Sequence, residues 1–546
     1  MFFLSPDSLN PDAKFGKIEA TQRRGQRGYP AGAAAKGESD MTEKPEKKHL
    51  QPPHPFVMIF AAMLCAALLT HLVPLGRYEL KEVTYVVNGE QRTGTAVDPS
   101  SFRYSMDEKN QRVVYPAPVF GVSARGESGM MNFLFDGLNN SRQAAATAGL
   151  AAYMLVIGGS FGVLMRTGVA DRVILRMVRR IGGSALFVPP ALFVLFSLAG
   201  AVFGFSEGAI PCAMLVIPLL IAMDFDAITG VMCTFAATQV GVACAWMGIG
   251  ALESAQTIAG IPVLSGARLR MVLWAVLTAL GAGYTAAYAS KVYEDPHRSL
   301  THAGDARFRG RFESLRARRE PFTLGAKLVA AAVLLSLGWM VWGVMTLNYT
   351  LDEIASLFFV MALITGLLGA AFHLDGMQLR DIPRAFQSGA SDLVGAVLVM
   401  GMAQGMVLLM GGINPTSPSV LNTLLHWAER AFSELPGLLA AWLMYVFQYG
   451  VNVVVPSEVG QAALTMPVMA PLADGLGISR QVAVLAFQLG GSLSHLLVPT
   501  SGCLIGVLSI ARVEWGDWLR SQWKAIAIVF VLASAAVVAA ACIGYT

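Results

Sequence analysis

The chain has 546 residues, of which 55% are hydrophobic and only 14% charged, with 40 Lys and Arg against 36 Asp and Glu for a net charge of +4. A soluble domain carries about 25% charged residues, so this is the composition of a polytopic membrane protein, and a net charge this small gives no footprint for nucleic acid. All six cysteines (Cys65, Cys212, Cys233, Cys244, Cys503 and Cys542) lie in apolar runs without metal-ligand spacing, where thiols serve as small packing residues, so no metal or cofactor is expected.

Residues 1–50 are polar and lack the apolar core of a signal peptide. They read as a disordered cytoplasmic tail, and 1–40 suit a mis-called start, because Met41 opens an ordinary basic terminus. A first transmembrane half spans 51–290. It opens with a span over 55–75, followed by a polar segment, 76–142, with strand-like patches such as Val83-Thr-Tyr-Val-Val87, which suits a small periplasmic subdomain. A second span, 144–165, contains Gly158-Gly-Ser160, small residues that let helices approach closely. Arg166, Arg172, Arg176, Arg179 and Arg180 then make the next loop cytoplasmic by the positive-inside rule.

Residues 184–205 are apolar and end in Gly204-Phe-Ser-Glu-Gly208; a second apolar piece, 209–223, is short for a span, which takes about 20 residues. The pair predicts a hairpin that enters and leaves on one side. A helix over 227–245 loosens at Trp246-Met-Gly-Ile-Gly-Ala-Leu-Glu-Ser254, and 268–289 makes the return crossing. A hydrophilic linker, 291–323, reads as cytoplasmic and leads to the second half, 324–546. There, spans over 324–347, 354–372 and 393–410 are interleaved with an interfacial helix over 377–388, and an external one over 418–432 follows. A span over 435–455 leads into a second hairpin arm, a broken helix over 480–510 and a last span, 525–543, which carries the C-terminus to the periplasm.

The halves echo each other. Pro218-Leu-Leu-Ile-Ala-Met-Asp-Phe-Asp-Ala-Ile-Thr-Gly-Val231 aligns with Pro471-Leu-Ala-Asp-Gly-Leu-Gly-Ile-Ser-Arg-Gln-Val-Ala-Val484, and Ser206-Glu207 corresponds to Ser457-Glu458. The fold class expected is therefore an all-α polytopic membrane protein with two inverted repeats, each holding a re-entrant hairpin and a broken helix. A bilayer core cannot satisfy opened backbone, so such breaks survive only inside protein or around a cavity, and paired breaks point to a transporter's binding site.

The candidate substrate- or ion-binding residues follow from that frame. Glu207 and Glu458 are ionisable groups at membrane depth, costly there and functional by default; as proton carriers, Na⁺ ligands or partners of a cationic amino acid they compete with a plain role as helix-tip caps. Ser206, Ser457, Thr500 and Ser501, with the unwound carbonyls near Pro499, offer oxygens to a hard cation, against the ordinary bonding of hydroxyls to their own backbone. His495, with Ser494 before it, can titrate near neutrality. Gln239, Gln461 and Gln488 are candidate linings or interhelical glue, and Glu253 and Ser254 flank the first break.

Pro53-His-Pro-Phe, Gly460-Gln-Ala-Ala-Leu-Thr-Met-Pro-Val-Met-Ala-Pro-Leu-Ala-Asp474, Arg480-Gln-Val-Ala-Val-Leu-Ala-Phe-Gln488 and Val498-Pro-Thr-Ser-Gly502 resemble the bacterial YfcC-like transporters, which belong with the C4-dicarboxylate anaerobic carriers of the ion transporter superfamily. The resemblance runs from about residue 50 to the end. It implies an inner-membrane secondary carrier for carboxylates or amino acids, coupled to Na⁺ or H⁺ or exchanging, and a homodimer. The family pattern has Pro-Ser-Gly-Ser-Gly at the second tip, where this chain has Glu458-Val459 in place of Gly-Ser. It has Gly-Asp-Gly-Phe-Ser-Asn in the broken helix, here Gly490-Gly-Ser-Leu-Ser-His495. In the first half Gly248-Ile249 replaces Asn-Pro, and Glu207-Gly208 replaces Glu-Glu.

The function expected is secondary active transport of a small carboxylate-bearing metabolite, an amino acid or a C4-dicarboxylate or short organic acid, across the bacterial inner membrane. A passive channel for small anions is the alternative. An intramembrane enzyme lacks paired aspartates, HExxH or a Ser-His arrangement, and ATP-driven transport lacks a Walker A sequence in this chain.

Overall fold

Apolar runs longer than a bilayer core is thick become straight helices, and shorter ones stop where Pro, Gly and hydroxyl residues open the backbone. A computed structural model describes this arrangement over residues 53–87, 90–122, 128–139, 144–204, 206–247, 250–318, 322–347 and 349–546. The tail 1–50, Phe205 and the Gly248-Ile249 pair of the first break lie outside the described residues. Among those described, eight helices are long and apolar enough to cross a membrane: Pro55–Leu72, Thr147–Arg166, Ser184–Phe203, Ala267–Glu294, Leu324–Leu347, Leu351–Ala371, Gly437–Val454 and Trp515–Cys542. A bent pair, Asp381–Ser391 with Val394–Leu409, adds a ninth if counted as one span. The chain is thus an all-α polytopic membrane protein.

The strand-like patch read in the polar segment becomes an antiparallel hairpin, Gly76–Val87 against Glu90–Tyr104. Its base is tied to the residues before the helix Val420–Ser433. Gly76 and Ser419 exchange backbone hydrogen bonds, and the Thr423 hydroxyl donates to the Pro74 carbonyl at 2.7 Å.

Two sets of interrupted helices fill the centre. In the first half Val188–Phe203 ends at Gly204 in the left-handed region (φ 63°), a 3-10 turn Ser206–Gly208 makes the tip, and Ala209–Ala222 returns. Next, Ala227–Val231, a π-turn Met232–Ala236 and Ala237–Ala243 form one buried run that ends before Ala251–Ile258 resumes. In the second half Glu458–Gly475 is the return arm, and Arg480–Ser494 breaks before Gly502–Ala511.

The last span differs from its expected start. It begins at Trp515, ten residues before the purely apolar stretch. The reason is local: the Trp515 and Trp518 indoles donate to the Leu497 and Leu496 carbonyls at 3.0 and 2.9 Å, oxygens that the break at 495–501 leaves without helical partners.

Polar contacts gather at the two ends of the long helix Ala267–Glu294. At its start, the Tyr545 hydroxyl donates to the Gly266 carbonyl at 2.6 Å, and the Ser479 hydroxyl bonds the Tyr545 carbonyl. Near its other end, Tyr288 and Ser299 donate to Asp226, and Asp305 of the linker helix His302–Arg318 accepts the Ala227 N–H at 3.1 Å. The linker helix is also held by Arg311 to the buried Asp171 of Val169–Ile181, at 2.5 Å. Between Ala144–Arg166 and Asp381–Ser391 the backbones touch directly, so that a Cβ on Gly158 or Gly389 would meet the other's carbonyl oxygen.

Candidate functional site

Glu207 in the turn Ser206–Gly208 and Glu458 at the start of the return arm Glu458–Gly475 lie close enough to act on each other electrostatically. The Cys503 thiol, from the helix after the second break, donates to the Ser206 carbonyl at 3.2 Å. A small cavity opens among Gly204, Leu252, Glu458, Gln488 and Ser492. Elements from both halves of the sequence therefore enclose one buried space, lined by one acidic side chain, Glu458, with Glu207 outside its lining.

Below Glu458 runs a chain of amides. Gln448 and Asn452 share a face of Gly437–Val454, Gln461 and Thr465 share a face of the return arm, and an i,i+4 spacing brings each pair into line. Gln461 Nε2 donates to the Gln448 carbonyl at 2.7 Å and its Oε1 accepts from Asn452 Nδ2 at 2.9 Å. Asn452 Nδ2 then stands 3.4 Å from His495 Nε2, and that nitrogen is 3.7 Å from Glu458 Oε1. His495 is 6% exposed.

A second polar chain joins the halves. Arg270, fully buried near the start of its span, donates through Nε to Gln488 Oε1 at 2.9 Å, and through its terminal nitrogens to the Ser265 carbonyl (2.6 Å) and Gln481 (3.2 Å). The Gln488 amide nitrogen in turn donates to the Val242 and Ala245 carbonyls, both at 3.0 Å. These oxygens stand at the end of the first broken helix, so a side chain of the second half closes the opened backbone of the first.

The remaining sequence candidates divide. The Ser206 hydroxyl donates to Gln239 Oε1 at 3.4 Å, while Gln239 Nε2 is buried without a partner, as is Thr500 Oγ1. Ser457 and Ser501 cap their helices, accepting from the Gly460 and Leu504 amides. Ser494 bonds back to the Gly491 carbonyl at 2.5 Å, and Pro499 sits in the break. Glu253 and Ser254 are wound into Ala251–Ile258 with Glu253 exposed; their neighbour Leu252 lines the cavity instead. The sequence reading passed over Arg270, Gln448, Asn452, Thr465 and Ser492. The paired i,i+4 amides were a signal within reach; Arg270, two residues after Arg268, looked like an ordinary basic flank.

A larger cleft, about 600 Å³, opens at the linker end between Ala209–Ala222 and the Gly158 helix, lined by Arg166, Arg311, Arg384, Arg512, Asp375 and Asp392.

A multi-pass helical protein with interrupted helices around a buried cavity has the architecture expected of a membrane transporter. The model of the C4-dicarboxylate anaerobic carrier family, DcuC, matches residues 53–542, and the chain belongs to that family. It is 39% identical over 507 residues to YfcC of Escherichia coli K12, covering 93% of this chain and 100% of that one, a protein provisionally named a basic amino acid antiporter. An uncharacterized protein of Haemophilus influenzae Rd is 25% identical over 512 residues, covering 90% and 98% of the two chains. Among solved structures the YdaH transporter of Alcanivorax borkumensis matches with a TM-score of 0.37 and 15% identity over 90% of this chain and 99% of its own. MtrF of Neisseria gonorrhoeae matches with 0.39 and 14% over 89% and 95%.

Proposed function

We propose that this chain is a secondary active transporter of a small carboxylate-bearing metabolite, and that an amino acid with a cationic group fits it better than a C4-dicarboxylate. One observation carries the reading: Glu458 lines a buried cavity enclosed by both halves of the chain, and Glu207 of the first half lies within electrostatic reach of it. Two carboxylates in a water-poor space call for a cation. An ammonium group answers that need, and a dianion opposes it. The arginines of the linker-end cleft suit the substrate's carboxylate on its approach, and the provisional name of the Escherichia coli relative accords with a basic amino acid.

Transport then consists of moving the tips and broken helices against the outer helices, with 291–323 as the cytoplasmic linker between halves arranged as inverted repeats. Coupling to Na⁺ or H⁺, or exchange, drives accumulation, and the inner membrane and a homodimer remain parts of this reading that the family resemblance implies. Counterflow in proteoliposomes tests it. L-lysine or L-arginine loaded inside should draw in labelled L-lysine, with succinate inert. Succinate counterflow without lysine counterflow would reverse the substrate assignment, and flux that never exceeds equilibration would favour a passive channel.

A further inference from the structure

Two hydrogen-bond acceptors face each other in the interior of the second half. The direction of the amide chain establishes this. The Gln448 backbone carbonyl can only accept, so the Gln461 nitrogen is the atom turned to it, and the Gln461 oxygen takes one N–H of Asn452. The other N–H of that amide is the one available to His495 Nε2. A ring nitrogen that receives an N–H carries a lone pair, which puts the imidazole's own proton on Nδ1, a buried atom without a partner. Glu458 Oε1, 3.7 Å from Nε2, is likewise buried without a partner. A carboxylate oxygen and an imidazole lone pair in facing positions repel unless something positive lies between them.

The groups around this pair narrow what that is. Glu207 acts on Glu458 from the turn Ser206–Gly208, and Cys503 on Gly502–Ala511 acts on both glutamates. Tyr153 faces Glu207 from the Gly158 helix. No Lys or Arg acts on either glutamate among the described residues. Na⁺, as a hard cation, needs several oxygens around it; one carboxylate oxygen and one ring nitrogen suit a proton.

We propose that Glu458 and His495 form one exchangeable cation site, filled alternately by a proton shared between Oε1 and Nε2 and by the cationic nitrogen of the substrate. The proposal rests on the reading of the chain as a carrier of amino-bearing substrates. When the substrate's ammonium group enters the cavity and pairs with the Glu458 carboxylate, the shared proton leaves to water on the side then open. When the substrate departs, a proton from the same side returns to the pair. One positive charge replaces another, and the bare carboxylate is the costly state for movement across the membrane, so the protein crosses only when the site is filled. The result is substrate–proton exchange without net charge movement at this site.

The test is calorimetric titration of the purified full chain in detergent with L-lysine, at pH 6, 7 and 8, in two buffers of different ionisation enthalpy. About one proton should be released per lysine bound, and the apparent Kd should weaken about tenfold per pH unit once the pair is protonated. A Kd that ignores pH, with no proton released, overturns the proposal. Glu458→Gln should abolish the proton release; release that persists in it also overturns the proposal. A second readout needs no variant to fold: in protein labelled with ¹⁵N-histidine, lysine should shift the His495 ring signals, and unshifted signals count against the site. Lysine counterflow without proton release sinks this site and leaves the transport reading standing. Absence of both lysine and arginine counterflow sinks the cationic-substrate reading and the exchange with it.

Discussion

Gln488 shows how much one side chain can hold in a bilayer-spanning protein. Its oxygen meets Arg270, and its nitrogen meets the carbonyls of Val242 and Ala245. Replacing it by Leu, of similar bulk, removes all three bonds and leaves a buried guanidinium nitrogen and the Ala245 carbonyl unmatched, while the Val242 carbonyl keeps the Ala245 N–H. Each orphaned buried group costs about 1–3 kcal/mol, so Gln488→Leu should lower stability by at least about 2 kcal/mol, read as an earlier unfolding transition in detergent. An unchanged transition would show that water reaches these groups and that the bridge is incidental. The sequence exposed Gln488 as a polar residue in an apolar run, but not its partners, because Arg270 and the 242–245 carbonyls are more than 200 residues away. His495 and Glu458 were legible for the same reason, as charges out of place; their mutual approach was not.

At the scale of elements, the breaks were readable because Pro, Gly, Ser and Thr interrupt runs that are otherwise uniformly apolar. The docking of the linker was not readable. Asp305 is one of five acids in a stretch with eight basic residues, and nothing in its neighbourhood marks it as the one that docks on Ala227. Its placement has a consequence for pH. Burial lifts the Asp305 carboxyl to about 6, with Asp226 adding to the rise, while the Ala227 amide, the Thr301 hydroxyl and Arg309 oppose it. The docked linker therefore keeps a proton that an undocked one, with a carboxyl near 3.8, gives up. Docking is strongest at low pH and weakens as pH rises through 6, by on the order of 1 kcal/mol between pH 5.5 and 7. Hydrogen exchange in 296–318 should be slower at pH 5.5 than at 7 beyond the intrinsic pH effect, and Asp305→Asn should remove that difference. Equal protection at both values would mean that the carboxyl titrates as it does in water.

For the whole molecule, the contacts sort the loops into two ends. Gly266, Ser479 and Tyr545 meet at one, and Asp226, Asp305 and Arg311 at the other. The basic residues of the linker argue that the end with Asp305 and Arg311 is cytoplasmic, and the alternation of spans that the end with Tyr545 is periplasmic. Cysteines introduced one at a time at Ser314 and at Gly544, with Cys65 and Cys542 replaced by Ser and the four less exposed native cysteines kept, should divide accordingly. An impermeant maleimide added to intact cells should label position 544 and spare 314, and the reverse pattern would turn the protein over in the membrane.

The touching backbones at Gly158 and Gly389 carry a mechanical implication. Helices separated by a layer of side chains can slide, because rotamers give way; two main chains in contact have no such lubricant. That seam behaves as a weld, fixing Ala144–Arg166 and Asp381–Ser391 into one stiff plate. Motion must shear along softer boundaries, such as the one where Gly502 rests on the flexible thioether of Met400. A bulky residue at Gly158 would split the plate, whereas stiffening position 400 would leave it whole and jam the stroke.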